Sequence, residues 1–199
     1  MQSNSFVFDI YGPLHWRMAG KLAVIETRPV INVTEMDSIV GRLLLGVHGD
    51  AVCFLEFLAE ERRGGQLARL SQTFDADITP GENAVMAAAR QQLTEYFAGT
   101  RRQFDLQLGW MGTQFQTRVW QALTEIPYGR TCSYGDIARR IGQPQAMRAV
   151  GAANGRTHIP IIIPCHRVVN SDGSLGGFSS GLWRKQKLLE LEARTSALI

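Results

Sequence analysis

Ser133-Tyr134-Gly135-Asp136-Ile137-Ala138-Arg139-Arg140-Ile141-Gly142-Gln143-Pro144-Gln145-Ala146-Met147-Arg148-Ala149-Val150-Gly151-Ala152-Ala153 is the stretch that decides the fold of the C-terminal half. Ser133 with Asp136 three residues on reads as a helix start, where a hydroxyl and a carboxylate satisfy backbone N–H groups that have no partner within the helix. Tyr134, Ile137, Ala138 and Ile141 then share one face of a short helix. Gly142-Gln143-Pro144 breaks it. A second helix is expected from about Gln145 through Ala153, with Ala146, Ala149, Val150 and Ala153 inward. Two short helices across a Gly-containing turn are the pattern of a helix-turn-helix. Helical hairpins in ordinary cores share that pattern. Arg139, Arg140, Arg148 and Arg156 around this one favour a nucleic acid as its partner.

Working outward, Thr113 with Gln116 makes another capping box, and Phe115, Val119, Leu123 and Ile126 form a helical stripe closed by Pro127 and Gly129. In the first half, Lys21–Thr27 is a β-branched run, and Arg42–His48 and Ala51–Phe57 flank Gly49-Asp50, a two-residue hairpin signal. Thr79-Pro80-Gly81-Glu82 offers an N-cap, a first-turn proline and a capping glutamate. The helix after it would bury Val85, Ala89, Leu93 and Phe97 and end at Gly99. Thr100–Asp105 is charged and aperiodic and makes the best boundary, dividing the chain into residues 1–105 and 106–199.

With 199 residues, 45% of them hydrophobic and 20% charged, the chain has the composition of a globular protein of one or two domains. The net charge of +3 is split: residues 1–100 carry 8 Lys/Arg against 12 Asp/Glu, residues 101–199 carry 13 against 6. An acidic support unit and a basic unit facing a polyanion fit that split, as does plain surface solvation. Three cysteines do not make a disulfide framework, and the odd number suits a reducing compartment. No apolar run approaches the ~18 residues of a membrane span. The opening Met-Gln-Ser-Asn-Ser-Phe lacks the order of a signal peptide, so the expectation is a cytoplasmic protein.

Chemistry concentrates at Ile159–Arg167. Ile159–Ile163 is apolar and mostly β-branched and reads as a buried strand or extended segment, ending in Pro164-Cys165-His166-Arg167-Val168-Val169. Pro164 fixes its own backbone and biases Ile163 to be extended, so Cys165 is rigidly held. A neighbouring His or Arg lowers a thiol's pKa and makes a nucleophile; buried cysteines are also common as plain packing. The tripeptide alone leaves both open.

The wider context resembles the 6-O-alkylguanine-DNA alkyltransferases, single-use DNA-repair proteins. Ile163-Pro164-Cys165-His166-Arg167-Val168-Val169 is similar to that family's signature. Around it stand Phe115-x-x-x-Val119-Trp120, Ile126-Pro127-Tyr128-Gly129, Ser133-Tyr134, Arg148-Ala149-Val150-Gly151 and Gly181-Leu182-Trp183, from about Gly112 to Glu192. The resemblance implies a two-domain α+β or α/β protein. Its N-terminal part would be a small ribonuclease H-like sheet with helices, its C-terminal part a mostly helical winged helix-turn-helix carrying the acceptor cysteine. It implies Cys165 as acceptor, His166 acting through water and oriented by Glu192, and Tyr134 donating to the guanine ring. Arg148 would fill the stack after the nucleotide flips out. Ala149, Gly151 and Asn154 would lie against DNA in the minor groove. Val168, Ser179, Phe178 and Trp120 would belong to the substrate pocket. The implied partner is duplex DNA carrying alkylated guanine, bound by a monomer without cofactor or metal. Guanine or thymine lesions, and the size range of the alkyl group, stay open.

Two positions depart from the family's pattern. Thr157 stands where an Asn is usual, and Phe178 where some relatives have Tyr. Cys53 is alone in its half, so the cysteine-rich zinc site of some relatives is not expected. Two other classes remain: a lesion sensor that binds without repairing, which Cys165 disfavours, and a Cys-His hydrolase, which would turn over on an ester or amide.

Overall fold

Val30-Ile31-Asn32-Val33-Thr34-Glu35-Met36 opens on alternating apolar and polar residues and forms β1 (Val30–Met36), with Ile31 and Val33 buried. The structure, a computed structural model, describes residues 28–59, 61 and 63–196; the strand expected at Lys21–Thr27 lies outside them. The Gly49-Asp50 hairpin forms as expected, joining β2 (Leu43–His48) to β3 (Ala51–Phe57), with Gly49 at a φ of 56° that favours glycine. Helix α1 (Arg63–Phe74) carries the chain to β4 (Asp77–Pro80). The sheet order is β3-β2-β1-β4, antiparallel except for β1 with β4.

Thr79-Pro80 does not start a helix. Both residues pair with β1 as part of an edge strand, where proline's missing N–H costs least. The N-cap is Asn83, whose side chain accepts from the Met86 N–H at 2.8 Å. The buried face of α2 (Ala84–Phe97) is accordingly Met86, Ala89, Leu93 and Tyr96, while Val85 and Phe97 are only half-buried. Gly99, at a φ of 77°, follows the C-cap as expected.

The C-terminal half follows its local signals. Reciprocal capping boxes open α3 (Gln114–Thr124) at Thr113/Gln116 and α4 (Tyr134–Arg140) at Ser133/Asp136. Helix α5 (Met147–Gly155) starts two residues later than predicted, and its inward stripe is Val150, Ala153 and Asn154. Ala149 is exposed, a correction that arises because alanine suits either face of a helix. Trp120 is 2% exposed, and its indole N–H donates to Ala153 O at 2.9 Å, tying α3 to α5. It is a core residue, which corrects its assignment to a pocket wall. Strands β5 (Cys132–Ser133) and β6 (Val168–Val169) pair in parallel, and α6 (Leu182–Ser196) closes the fold.

One core runs through both halves, from Leu43, Leu45 and Leu93 to Val119, Leu123 and Leu188. Backbone bonds also cross: Leu55 N–H to His158 O at 2.8 Å and Val52 N–H to Gln107 O at 2.9 Å. Among the described residues no helix is long and apolar enough to cross a membrane.

Candidate active site

Ile159–Ile163 is buried but not extended. The chain turns at Ile161, whose φ of 76° is in the left-handed region, and Ile163 N–H donates back to Ile159 O at 2.9 Å. A β-branched residue there costs about 1–3 kcal/mol and persists only because its surroundings hold it. A run of isoleucines reads as strand because that conformation is so rare for them. The turn delivers Cys165 to the start of a single 3-10 turn, Cys165–Arg167.

Cys165 is 3% exposed. Burial pushes its thiol up to about 11, against the opposing pull of the Thr157 hydroxyl and the Lys185 charge, so the resting group is a thiol, not a thiolate. Its backbone is held from α5: Asn154 Nδ2 donates to Cys165 O at 3.3 Å, and Thr157 Oγ1 donates to Asn154 O at 2.8 Å. Asn154 is therefore buried against the cysteine loop and off the outer face of α5, which corrects its expected place against DNA. Thr157, at the departure from the family pattern, reaches the thiol itself.

Behind the cysteine, His166 and Glu192 are both fully buried. His166 Nε2 lies 2.9 Å from Glu192 Oε1. The carboxylate also receives Arg167 Nε at 2.9 Å, Arg167 Nη2 at 2.9 Å, the Gly129 N–H at 3.0 Å and the Tyr96 hydroxyl at 2.7 Å. Burial opposes its charge, but the hydrogen bonds of His166 and Arg167, with the charges both carry in the acid range where the carboxyl titrates, prevail and hold it down at about 2. Burial lowers His166 despite that partner, so the imidazole is neutral near pH 7. A carboxylate only accepts, so Nε2 carries the proton, and Nδ1, without a hydrogen-bond partner, keeps its lone pair. His166 is thus set to accept a proton. Lys185, Leu188, Leu191 and Glu192 form the inward face of α6, with Leu189 half-buried beside it.

Tyr134, at the start of α4, is near enough to the Cys165 sulfur for a thiolate there to raise its pKa further, burial being the larger cause. Gly176 packs on its hydroxyl: a Cβ at Gly176 would lie 2.5 Å from Tyr134 Oη. Gly176→Ala would therefore displace that hydroxyl. Val168 is buried, and its carbonyl and that of Gly176 receive Lys185 Nζ at 2.6 and 3.1 Å. Ser179 is exposed and lines a cavity of about 410 Å³ with Thr157, Pro160 and Ser180. Phe178 is half-buried, its ring edge-on to Phe57. On the outer side of α5, Arg148, Ala149, Ala152 and Gly155 are exposed and Gly151 half-buried.

The sequence reading missed Tyr96, Lys185 and the true partner of Arg167. Tyr96 lies 70 positions before His166, and no local signal links them. Arg167, a sequence neighbour of the thiol, turns to Glu192. Among the described residues no group of three or more His, Cys, Asp and Glu is placed to hold a metal ion.

Comparison with known proteins bears on this arrangement. Residues 114–194 match the family model of the 6-O-methylguanine DNA methyltransferase DNA-binding domain. The chain is 45% identical over 163 residues to a Mycobacterium leprae methylated-DNA–protein-cysteine methyltransferase, covering 82% of this chain and 93% of that one. A Mycobacterium tuberculosis O6-methylguanine methyltransferase superposes with a TM-score of 0.71 at 42% identity, over 83% of this chain and 94% of that one. The same organism's OGT, solved in complex with DNA, superposes with a TM-score of 0.70, also at 42% identity and with the same coverage. A buried Cys-His-Arg turn, a His-Glu pair behind it and this degree of similarity along the chain agree: it belongs to the methylated-DNA–protein-cysteine methyltransferase family.

Proposed function

We propose that this chain repairs DNA by direct reversal, moving a methyl or small alkyl group from the 6-O position of guanine, and in some lesions the 4-O of thymine, to Cys165. The observation that carries this reading is a buried thiol followed directly in sequence by a neutral, Glu-anchored imidazole. As the Sγ–carbon bond forms, the carbon–oxygen bond to guanine breaks. The thiol proton passes to His166 Nδ1, through water by family analogy, and Tyr134 donates to the guanine ring as it gains charge. Proton return leaves neutral guanine and a thioether. A thioether does not hydrolyse under cellular conditions, so each chain acts once.

The exposed face of α5 supports a minor-groove approach by a monomer: Ala149, Ala152 and Gly155 bring its backbone close to the sugar-phosphate, and Arg148 projects from the same face. The order β3-β2-β1-β4 supports a ribonuclease H-like N-terminal unit of residues 1–105. The β5–β6 pair beside α4 and α5 supports a winged helix-turn-helix within 106–199.

With excess duplex containing 6-O-methylguanine, the protein gives a burst of one equivalent of repaired base and then stops; continued turnover would support the hydrolase reading, and binding without transfer the sensor reading. Arg148→Ala is expected to slow transfer from duplex roughly 10–100-fold, because an unstacking cost of a few kcal/mol is no longer partly offset. Transfer from the free modified base should be unchanged, and equal losses on both would make Arg148 a structural residue.

A further inference from the structure

Tyr96 is fully buried on α2, in the half of the chain away from Cys165, His166 and Glu192. Its ring packs against Phe97, Phe104 and Tyr128, which accounts for an aromatic side chain there but not for a hydroxyl. A buried hydroxyl needs a partner, and this one finds the His-Glu pair: Tyr96 Oη donates to Glu192 Oε1 at 2.7 Å and lies 3.4 Å from His166 Nε2. Its single proton is committed to the carboxylate, so towards His166 the Tyr96 oxygen offers only a lone pair. Glu192 and Tyr96 therefore both face Nε2 as acceptors. Any tautomer with the proton on Nδ1 would point three lone-pair-bearing atoms at one another in a fully buried site.

We propose that Tyr96 is a positioning residue for alkyl transfer, through which the N-terminal half fixes the proton arrangement of the His166–Glu192 pair. This rests on the proposed roles of those two residues. Tyr96 does two things for them. Its oxygen helps hold the Nε2–H, keeping the Nδ1 lone pair available, and its donated bond takes up part of the carboxylate's charge. The groups facing His166 are Glu192 and Lys185 from α6, Arg167 from the cysteine turn and Tyr96 from α2; Tyr128 lies beyond, against Tyr96 and Arg167. Of these, Tyr96 alone joins the pair from the N-terminal sheet-and-helix unit. A phenylalanine would leave Glu192 more negative, so the imidazolium would become easier to form and His166 would lose its base form at a higher pH.

The test is single-turnover methyl transfer by full-length Tyr96→Phe, measured from pH 5 to 9 alongside DNA affinity and melting temperature. Transfer is expected to be about tenfold slower at pH 7.5, the cost of losing one hydrogen bond to a charged group. The acid limb of the rate profile should move to higher pH, with DNA affinity unchanged. In a Glu192→Gln background, itself slower than wild type, Tyr96→Phe should have almost no further effect, because the pair acts as a unit. A wild-type rate with an unmoved acid limb would overturn the inference, and so would the same fractional loss in both backgrounds, which marks a purely structural residue. A wild-type rate for Glu192→Gln would remove the roles of the His-Glu pair themselves, and this inference with them.

Discussion

Cys165→Ser is expected to transfer no alkyl group to itself, to bind methylated duplex with near wild-type affinity, and to melt within a few degrees of wild type. The site explains why one atom matters this much. Serine is a far weaker acid than a thiol and the weaker nucleophile, and a neutral imidazole does not generate an alkoxide capable of displacing guanine from carbon. The fold tolerates the change because the residue is small and polar partners are at hand within the apolar core: the Thr157 hydroxyl lies against the sulfur, and Asn154 Nδ2 holds the backbone carbonyl whichever side chain is present. The other cysteines do not substitute. Burial raises the thiols of Cys53 and Cys132 as it does that of Cys165, so what sets Cys165 apart is the His166 that follows it in sequence, which neither of the others has. Cys53→Ser and Cys132→Ser should therefore transfer at the wild-type rate. Residual transfer by Cys165→Ser would mean that another residue is the acceptor.

Glu192→Ala should be the costliest single change to stability, about 3–5 kcal/mol, because it leaves the Arg167 guanidinium buried without its countercharge. The Gly129 N–H and the Tyr96 hydroxyl lose their acceptor as well. At roughly 2–4 °C per kcal/mol for a chain of this size, the melting temperature should fall by about 6–20 °C. The sign of the pH dependence gives an independent check. The Glu192 carboxyl is held at about 2 in the folded state, below its ordinary value of 4.5. Its contribution is therefore complete above about pH 4.5 and is lost as pH falls from there towards 2. Wild type should surrender that increment as pH falls from about 4.5 towards 2, and Glu192→Ala should have none of it to lose. Parallel loss in the two proteins would show that the His166–Glu192–Arg167 cluster is not what acid disrupts.

What was legible in the sequence followed the reach of each signal. Thr113/Gln116 and Ser133/Asp136 act across three residues, and both capping boxes formed as read. The Gly49-Asp50 hairpin is equally local. Thr79-Pro80-Gly81-Glu82 failed because Asn83 offered a competing cap and β1 a competing partner, and strand pairing is not visible in a four-residue motif. The isoleucines before Cys165 failed for a different reason: tertiary packing forces Ile161 into a conformation that its own propensity opposes. At the site, Cys165, His166 and Glu192 are named through a family resemblance, and the structure pairs His166 with Glu192 at 2.9 Å. Tyr96 was beyond such reasoning, since the contact that distinguishes it from any core tyrosine is made across the sheet-helix boundary. Asn154 was read as surface because it lies on the second helix, yet its place in the i, i+3, i+4 stripe with Val150 and Ala153 turns it inward.

The most direct test of the central claim is peptide mapping after full reaction. The protein is incubated with excess duplex carrying 6-O-methylguanine labelled in the methyl group, digested, and its peptides are weighed by mass spectrometry. One methyl group per chain, confined to the peptide that contains Cys165, is the predicted result. Label on Cys53 or Cys132, or repaired guanine in excess of one equivalent with Cys165 unmodified, would contradict the account.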